Sequence, residues 1–350
     1  MLWQKRRLSL KVILSSNRNP HFVSIAEYIE NAFNASDCRT YFFNNDDFSI
    51  PGRIRQKVQY LQQVDLKKIN KDLISLIKSF KPHFFIEAGG HRILPETVKA
   101  IKAHGIKTAL WTIDCPVNFE PVINAAPYYD FVFTGGSEAY DILKEKGIRN
   151  LHFLPFACDP DLHKPQALSE EDQKLYGADI VFVGSIHPEL YPFRSKFLES
   201  IADLDLAVWG PGSGSIPQDS PLKKHIRGEK TPPDAWTKIY SASKIVLCMH
   251  YKDPANRIPC HQASPRVYEA LACGAFLMVD VQRDVKTLFK DREDLVIFRD
   301  AGELRELIKY YLERPEERLK IAENGRKTVL EKHTYRHRTE EILRVAMIHD

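Results

Sequence analysis

Short β-branched and aromatic runs alternate along the chain with stretches whose apolar residues recur at helical spacing. This alternation is the mark of parallel sheets joined by crossover helices. It predicts strands at Leu8–Leu14, Thr40–Phe43, His83–Glu87, Thr108–Thr112, Asp130–Thr134 and Leu151–Leu154, with helices over Ile69–Phe80, Pro95–His104 and Glu138–Lys146. Gly105 and Gly147 stand where the last two helices should stop. The segment Pro155–Gly177, with its prolines and the acidic run Ser169-Glu170-Glu171-Asp172, breaks the pattern and reads as a linker. The alternation then restarts, predicting strands at Ile180–Val183, Leu206–Trp209, Lys244–Cys248, Ala275–Val279 and Leu295–Phe298. Gly210–Lys230, rich in Gly, Ser and Pro, reads as a long loop off a strand end. From Ala301 strands give way to three helical stretches, Gly302–Leu312, Glu316–Lys332 and Tyr335–Ile348.

The pattern is that of two α/β, doubly wound domains in succession: residues 1–156, a linker over 157–177, and residues 178–332, with a final helix in 333–350 returning toward the first domain. Open sheets of this kind bind ligands beyond the carboxyl ends of their strands, so the expected active site is a central cleft that both domains face. Composition narrows the partners. Fifty Lys and Arg against 46 Asp and Glu leave a net charge of +4, without a basic tail, which argues against nucleic acid. The six cysteines show no C-x-x-C spacing and most sit in or beside apolar runs, as buried free thiols of a reducing cytoplasm do. Met1 to Arg7 is basic but leads straight into a strand, without an apolar signal region; peripheral contact with a membrane is the most it suggests. The G-x-G-x-x-G pattern is missing, His187, His250 and His261 near strand ends belong to no helical H-x-x-x-H or His/carboxylate cluster, and Asp253-Pro254-Ala255-Asn256 has no D-x-D partner to hold a diphosphate through a metal, so neither a dinucleotide cofactor nor a metal is expected.

The most informative stretch runs from Ala263 to Leu277: Ala-Ser-Pro-Arg-Val-Tyr-Glu-Ala-Leu-Ala-Cys-Gly-Ala-Phe-Leu. Ser264 suits an N-cap, Pro265 the first helical position, and Gly274 the stop before a buried strand. The start of such a helix offers open amides and a positive dipole end to an anion. Arg266 opposes that dipole in the first turn, an arrangement that a bound anion explains better than a structural role. Glu269, one turn further on, is placed to accept hydrogen bonds from a ribose diol; a solvated helix with an internal ion pair is the plain alternative. In the first half, His91 follows a strand and two glycines, and Asp114 follows Leu110-Trp111-Thr112-Ile113. Each is a candidate to orient or deprotonate an acceptor hydroxyl, or else a helix-entry and a turn-capping residue respectively. Ser15 to Pro20 is a polar loop suited to acceptor hydroxyls or to turn-making.

The Ala263–Leu277 stretch resembles the donor-binding segment of GT-B glycosyltransferases, specifically the group related to the spore-maturation protein CgeB. Phe182-Val183-Gly184-Ser185 with Tyr191 and Arg194, Lys244-Ile245-Val246-Leu247, and Pro315-Glu316-Glu317-Arg318 through His333-Thr334-Tyr335 match the same domain in order. Trp111-Thr112-Ile113-Asp114-Cys115-Pro116 and Leu154-Pro155-Phe156-Ala157-Cys158-Asp159-Pro160 extend the match to the first half. The resemblance implies transfer of a sugar from a nucleotide diphosphate donor, expected to be UDP-linked, to an acceptor that is a glycan, a lipid-linked group or a protein, with retention and without metal or other cofactor; an inverting reaction would need His91 or Asp114 as base. It implies that Glu269 holds the ribose, that Arg194 and Arg266 hold the diphosphate, and that Gly184, Ser185, Ser264 and Val267 complete the donor site. The first carboxylate of the family's glutamate pair falls at His261, eight positions before Glu269, a departure that touches the contacts to the sugar. A non-catalytic sugar-nucleotide or glycan-binding assembly factor and a nucleotide-sugar epimerase are the other functions open to such a chain.

Overall fold

The computed structural model describes residues 10–19, 23–50, 52, 57–113, 116–229, 235–255 and 257–347. It divides into two compact units, Met1–Pro155 with Tyr335–Asp350, and Phe156–Thr334.

The first unit is built on a parallel six-stranded sheet. Its strands are β1 (Leu10–Ser16), β2 (Cys38–Asn44), β3 (Phe84–Ala88), β4 (Lys107–Thr112), β5 (Phe131–Thr134) and β6 (Leu151–Phe153), in the order β2-β1-β3-β4-β5-β6. All five residues of β3 are buried, as befits a central strand covered by helices on both faces. Ile13, Phe85, Leu110 and Val132 from four neighbouring strands pack with Leu73 and Ile77 of the Gln59–Phe80 helix. The chain's last helix, Tyr335–Met347, lies in this unit. Its Tyr335 ring stands 5.6 Å from that of Tyr28 and 6.4 Å from that of Trp111, and Arg338 Nε donates to the Pro155 carbonyl at 2.7 Å.

The second unit holds another parallel six-stranded sheet, of β7 (Ala178–Val183), β8 (Leu206–Trp209), β9 (Ile226–Gly228), β10 (Ser243–Cys248), β11 (Leu277–Asp280) and β12 (Val296–Phe298). The order β12-β11-β10-β7-β8-β9 is that of a dinucleotide-binding Rossmann domain, and it reverses direction between β7 and β10. Ile180, Phe182, Ile245, Leu247, Met278 and Phe298 face the core formed with Leu304, Ile308 and Tyr311 of the Ala301–Leu312 helix.

The structure adds helices that the sequence reading did not place, among them Ile25–Ala35 and Pro192–Glu199, starts the helix expected from Ile69 at Gln59, and differs in three further stretches. The long loop after Trp209 contains β9, three residues that pair with the edge of β8 through Val208↔Ile226 and Trp209↔Gly228. So short an edge strand carries too little alternation to stand out from its turn-rich surroundings. The supposed linker contains a helix, Glu170–Tyr176, started by a capping box in which Ser169 and Asp172 serve each other's backbone. The acidic run is therefore a helix start with its charges at the positive dipole end. The strand expected from Ala275 begins at Leu277, because Ala275 still donates back to the Ala270 carbonyl of the preceding helix at 3.1 Å. Leu8 and Ser9, the expected start of the first strand, lie outside the described residues.

Candidate functional site

In the second sheet, the chain leaves β7 and β10 on opposite sides, so their carboxyl ends open a crevice at the point of reversal. Gly184 and Ser185 follow β7, His250 follows β10, Asp280 ends β11, and the Pro265–Ala272 helix begins beside them. The approach is close. A Cβ placed on Gly184 would lie 3.5 Å from the Arg266 guanidinium carbon. Gly210, with φ of +151°, brings the turn after β8 against the Gly184 carbonyl oxygen so tightly that a Cβ there would overlap it. Two of the backbone donors in this turn are consumed by the fold: Gly184 donates to the Trp209 carbonyl at 2.9 Å and Ile186 to the Pro211 carbonyl at 2.9 Å. Gly184, placed in the donor site by the resemblance, therefore has its amide engaged within the fold rather than open to an anion. The Ser185 amide, between those of Gly184 and Ile186, has no backbone acceptor among the described residues.

Two arginines meet at this edge. Arg194, on the Pro192–Glu199 helix, is buried, with Nη1 donating to the Ser185 carbonyl at 2.8 Å and its guanidinium carbon 4.0 Å from the centre of the Tyr191 ring. Its Nε is buried and has no hydrogen-bond partner among the described residues. Burial first, and the neighbouring Arg266 charge second, draw its pKa down to about 10, which still leaves it a cation at neutral pH. Arg266 is half-buried and, among the described residues, forms no ion pair or hydrogen bond. Arg194 is thus no surface residue; like charges are held together with an unused donor.

Ser264 does not cap its helix through its side chain. Its hydroxyl instead meets the Cys248 thiol, whose surroundings also include Arg266, Asp280 and Arg194, and burial pushes that thiol up to about 12. The helix start consequently keeps the open Arg266 amide that a side-chain cap would have left less exposed to a ligand. Val267 turns the other way: its side chain is fully buried and its amide donates to the Ser264 carbonyl at 3.0 Å, so its part is packing.

Glu269 is half-buried on the same helix. Burial raises its carboxyl to about 7 and Arg266 works in the opposite direction. Among the described residues the carboxylate has no hydrogen-bond partner, and the buried Tyr240 lies within its electrostatic reach. His261, at the position of the missing family carboxylate, has Nδ1 3.4 Å from Arg283 Nη1 and its carbonyl accepting from the Asp284 amide at 3.1 Å.

A pair that sequence reasoning did not single out completes this edge. The Asp280 carboxylate accepts from the His250 amide at 2.8 Å and lies 2.6 Å from its Nδ1, while its other oxygen meets Gln282 Nε2 at 3.3 Å and Lys252 Nζ at 3.5 Å. Burial raises the Asp280 pKa, but His250 and Lys252 more than offset this and hold it below the usual carboxylate range. The available signal was positional: a histidine two residues past a buried strand, and an aspartate closing the next one.

In the first unit, Gly89 and Gly90 have φ of +127° and +103° and lead directly from β3 to a half-buried His91. A Cβ on Gly90 would come within 3.0 Å of Leu110 Cδ1 and of Val122 Cγ2, so the turn is tailored to its floor. Beneath it, Glu87 is buried; its Oε1 accepts from the Arg92 and Ile93 amides at 3.3 Å each and its Oε2 from the Tyr129 hydroxyl. Burial raises its pKa, opposed by those hydrogen bonds. Ser15 and Ser16, expected in a polar loop, instead end β1 and are buried, Ser16 Oγ donating to the Ala88 carbonyl at 3.0 Å and Asn45 Nδ2 to Ser15 Oγ at 3.2 Å. Asp114 and Cys115 lie outside the described residues. The described residues contain no grouping of three or more His, Cys, Asp or Glu able to hold a metal, and no helix long and apolar enough to cross a membrane.

Residues 194–344 match a family of glycosyl transferase-like proteins. The chain is 21% identical over 260 residues to spore protein CgeB of Bacillus subtilis (strain 168), an alignment that covers 70% of this chain and 77% of CgeB. Among solved structures, it superimposes on sucrose-phosphate synthase of Thermosynechococcus elongatus with a TM-score of 0.70 at 12% identity, over 97% of this chain and 100% of the other. It superimposes on HepE of Anabaena, crystallised with UDP and glucose, with a TM-score of 0.65 at 11% identity, over 96% and 99% of the two chains. The two Rossmann-like α/β domains are thus of the GT-B kind, the CgeB-like resemblance read from the motifs holds, and the second half of the chain is glycosyl transferase-like.

Proposed function

We propose that this chain is a glycosyltransferase that takes a sugar from a UDP-linked donor held at the carboxyl edge of the second sheet, without a metal ion. The observation that carries the reading is the meeting of Arg194 and Arg266 beside Gly184, where among the described residues neither forms a salt bridge, although Asp280 lies within electrostatic reach of Arg194 and Glu269 within that of Arg266. Bringing two cations together at a partly buried edge is unfavourable unless an anion of higher charge occupies the space between them. A diphosphate has that charge, and its oxygens match the forked guanidinium geometry and the open amides of Ser185 and Arg266. The complexes of HepE with UDP add weight to this choice of ligand, as does the sequence match to glycosyl transferase-like proteins.

In the proposed reaction the bond between the anomeric carbon and the phosphate oxygen breaks, and negative charge grows on the departing UDP. Arg194 and Arg266 are already in place to stabilise that charge, so little reorganisation accompanies the step. We assign retention of configuration, with the departing phosphate receiving the proton of the acceptor hydroxyl. His91 and Asp114 are assigned to acceptor handling. The decisive assay incubates the protein with a panel of UDP-sugars, with and without candidate glycan acceptors, in the presence of EDTA. Transfer that persists under these conditions supports the reading. Isomerised sugar nucleotide formed without acceptor would replace it by an epimerase, and UDP binding with neither product by a non-catalytic binder. His91→Ala is expected to leave UDP affinity within about twofold while lowering turnover by about a hundredfold, the size of effect expected when the acceptor hydroxyl is no longer held in place.

Glu269 gives the site a pH signature. Its carboxyl is raised to about 7 from an ordinary 4.5, so the folded protein holds a proton there that the unfolded chain has released. Stability from this group is therefore greatest at low pH and declines as pH rises from the ordinary value through about 7. Ribose binding runs the other way, because the ionised form is the stronger acceptor. Uridine affinity is expected to increase between about pH 6 and 8 and to lose that dependence in Glu269→Gln; calorimetry at several pH values reads both.

A further inference from the structure

His250 is a polar group that nothing so far uses. Its side chain is 4% exposed and that of Asp280 2%. The Asp280 carboxylate accepts from both the His250 amide and its ring, which fixes the ring's orientation and keeps the Nδ1 proton on the Asp280 side. The opposite nitrogen, Nε2, is buried and has no hydrogen-bond partner among the described residues. In the neutral ring that nitrogen is a bare lone pair. Leaving it unpaired in the interior is costly, and the cost disappears when a hydroxyl donates to it.

Its neighbours indicate which hydroxyl. Cys248, two residues before His250, interacts with Arg194, Arg266 and Asp280, so the His250–Asp280 pair and the two arginines surround the end of one strand. Lys252 is 3.5 Å from Asp280 and 5.8 Å from the Phe193 ring centre. With Nδ1–H held toward Asp280, accepting a hydrogen bond is the role open to Nε2 of the neutral ring. Phosphate oxygens are acceptors themselves and cannot satisfy it. The donor groups next to a diphosphate in a nucleotide sugar are the hydroxyls of the sugar.

We propose that His250 Nε2 accepts a hydrogen bond from a hydroxyl of the transferred sugar, with Asp280 as the positioning residue that aims the ring. The inference rests on the donor-site reading above and adds the residue that recognises the sugar rather than the nucleotide. Because Nε2 has no exposed surface, a local shift of the side chains that cover it accompanies binding.

Two substitutions separate this role from simple support of the fold. Asparagine reproduces the Nδ1–H donor to Asp280 and removes the Nε2 acceptor, whereas glutamine carries an amide oxygen out to the Nε2 position and gives up the Asp280 bond. Calorimetry is run on the parent, His250→Asn and His250→Gln with UDP, UDP-glucose, UDP-galactose and UDP-N-acetylglucosamine. The sugar nucleotide that binds the parent best is expected to bind His250→Asn about tenfold more weakly, the equivalent of one buried hydrogen bond, with UDP affinity within about twofold and most of the loss recovered in His250→Gln. A purely structural histidine gives the reverse order, with Asn the better replacement. That order overturns the proposal, as does an equal loss for UDP and the sugar nucleotides. Failure of the parent protein to bind UDP at all overturns the donor-site reading itself, and this inference with it.

Discussion

Replacing Arg266 with alanine is expected to weaken UDP binding by about tenfold to a hundredfold, the loss of a charge-assisted contact of roughly 1.5 to 3 kcal/mol. The side chain has no ion pair or hydrogen bond among the described residues, so its removal leaves no partner stranded. Its guanidinium also stands in the first turn of its own helix, where a cation opposes the dipole, and it contributes to holding the Arg194 pKa down to about 10. The ligand-free variant should therefore be as stable as the parent, or slightly more so, while its affinity falls. Thermal denaturation with and without UDP reads both effects. A melting temperature unchanged by the substitution, together with a stabilisation by UDP that is sharply reduced, is the expected pair. Unaltered UDP stabilisation would remove Arg266 from the site.

The second large effect belongs to Gly210. A methyl group there would overlap the Gly184 carbonyl oxygen, in a backbone conformation with φ of +151° that side chains rarely adopt. The neighbouring turn offers no relief, because a Cβ on Gly212 would lie 2.6 Å from His187 N and Cα. Gly210→Ala is expected to cost at least about 3 kcal/mol and to lower the melting temperature of the domain by on the order of 10 °C. The strain is relieved by pushing Gly184 away from the arginines, so residual folded protein should also bind UDP poorly. A variant with parental melting behaviour would show that the β7 and β8 turns are not packed as described.

Much of this was legible in the residues. Continuous apolar runs such as Ile180-Val181-Phe182-Val183 and Ile245-Val246-Leu247-Cys248 marked central parallel strands, and Pro265 with Gly274 bracketed the helix at the donor edge. Two of the elements that stayed hidden lacked periodicity, whereas the helix Ile25–Ala35 was missed although Ala26, Ile29, Ala32 and Phe33 form a buried face. β9 is three residues long and pairs with one edge only, and Glu170–Tyr176 has no buried residue to betray a helical face. At the site, charge was more readable than hydrogen bonding. The arginines and Glu269 announced themselves by type and position, while the use of the Gly184 amide by Trp209, the inward turn of Val267 and the engagement of Ser264 with Cys248 depend on contacts between distant segments. The His250–Asp280 pair belongs to the same class: two residues 30 positions apart, joined only when β10 and β11 lie side by side.

The central claim is that the nucleotide diphosphate sits at the β7/β10 reversal of the second sheet against Arg194 and Arg266. A crystal structure of the protein grown with UDP in the presence of EDTA tests it most directly. The account predicts the diphosphate within hydrogen-bonding distance of the Arg266 guanidinium and of the Ser185 and Arg266 amides, with the ribose hydroxyls on Glu269. UDP bound instead at the carboxyl edge of the first sheet, or a diphosphate held with neither arginine in contact, would contradict it.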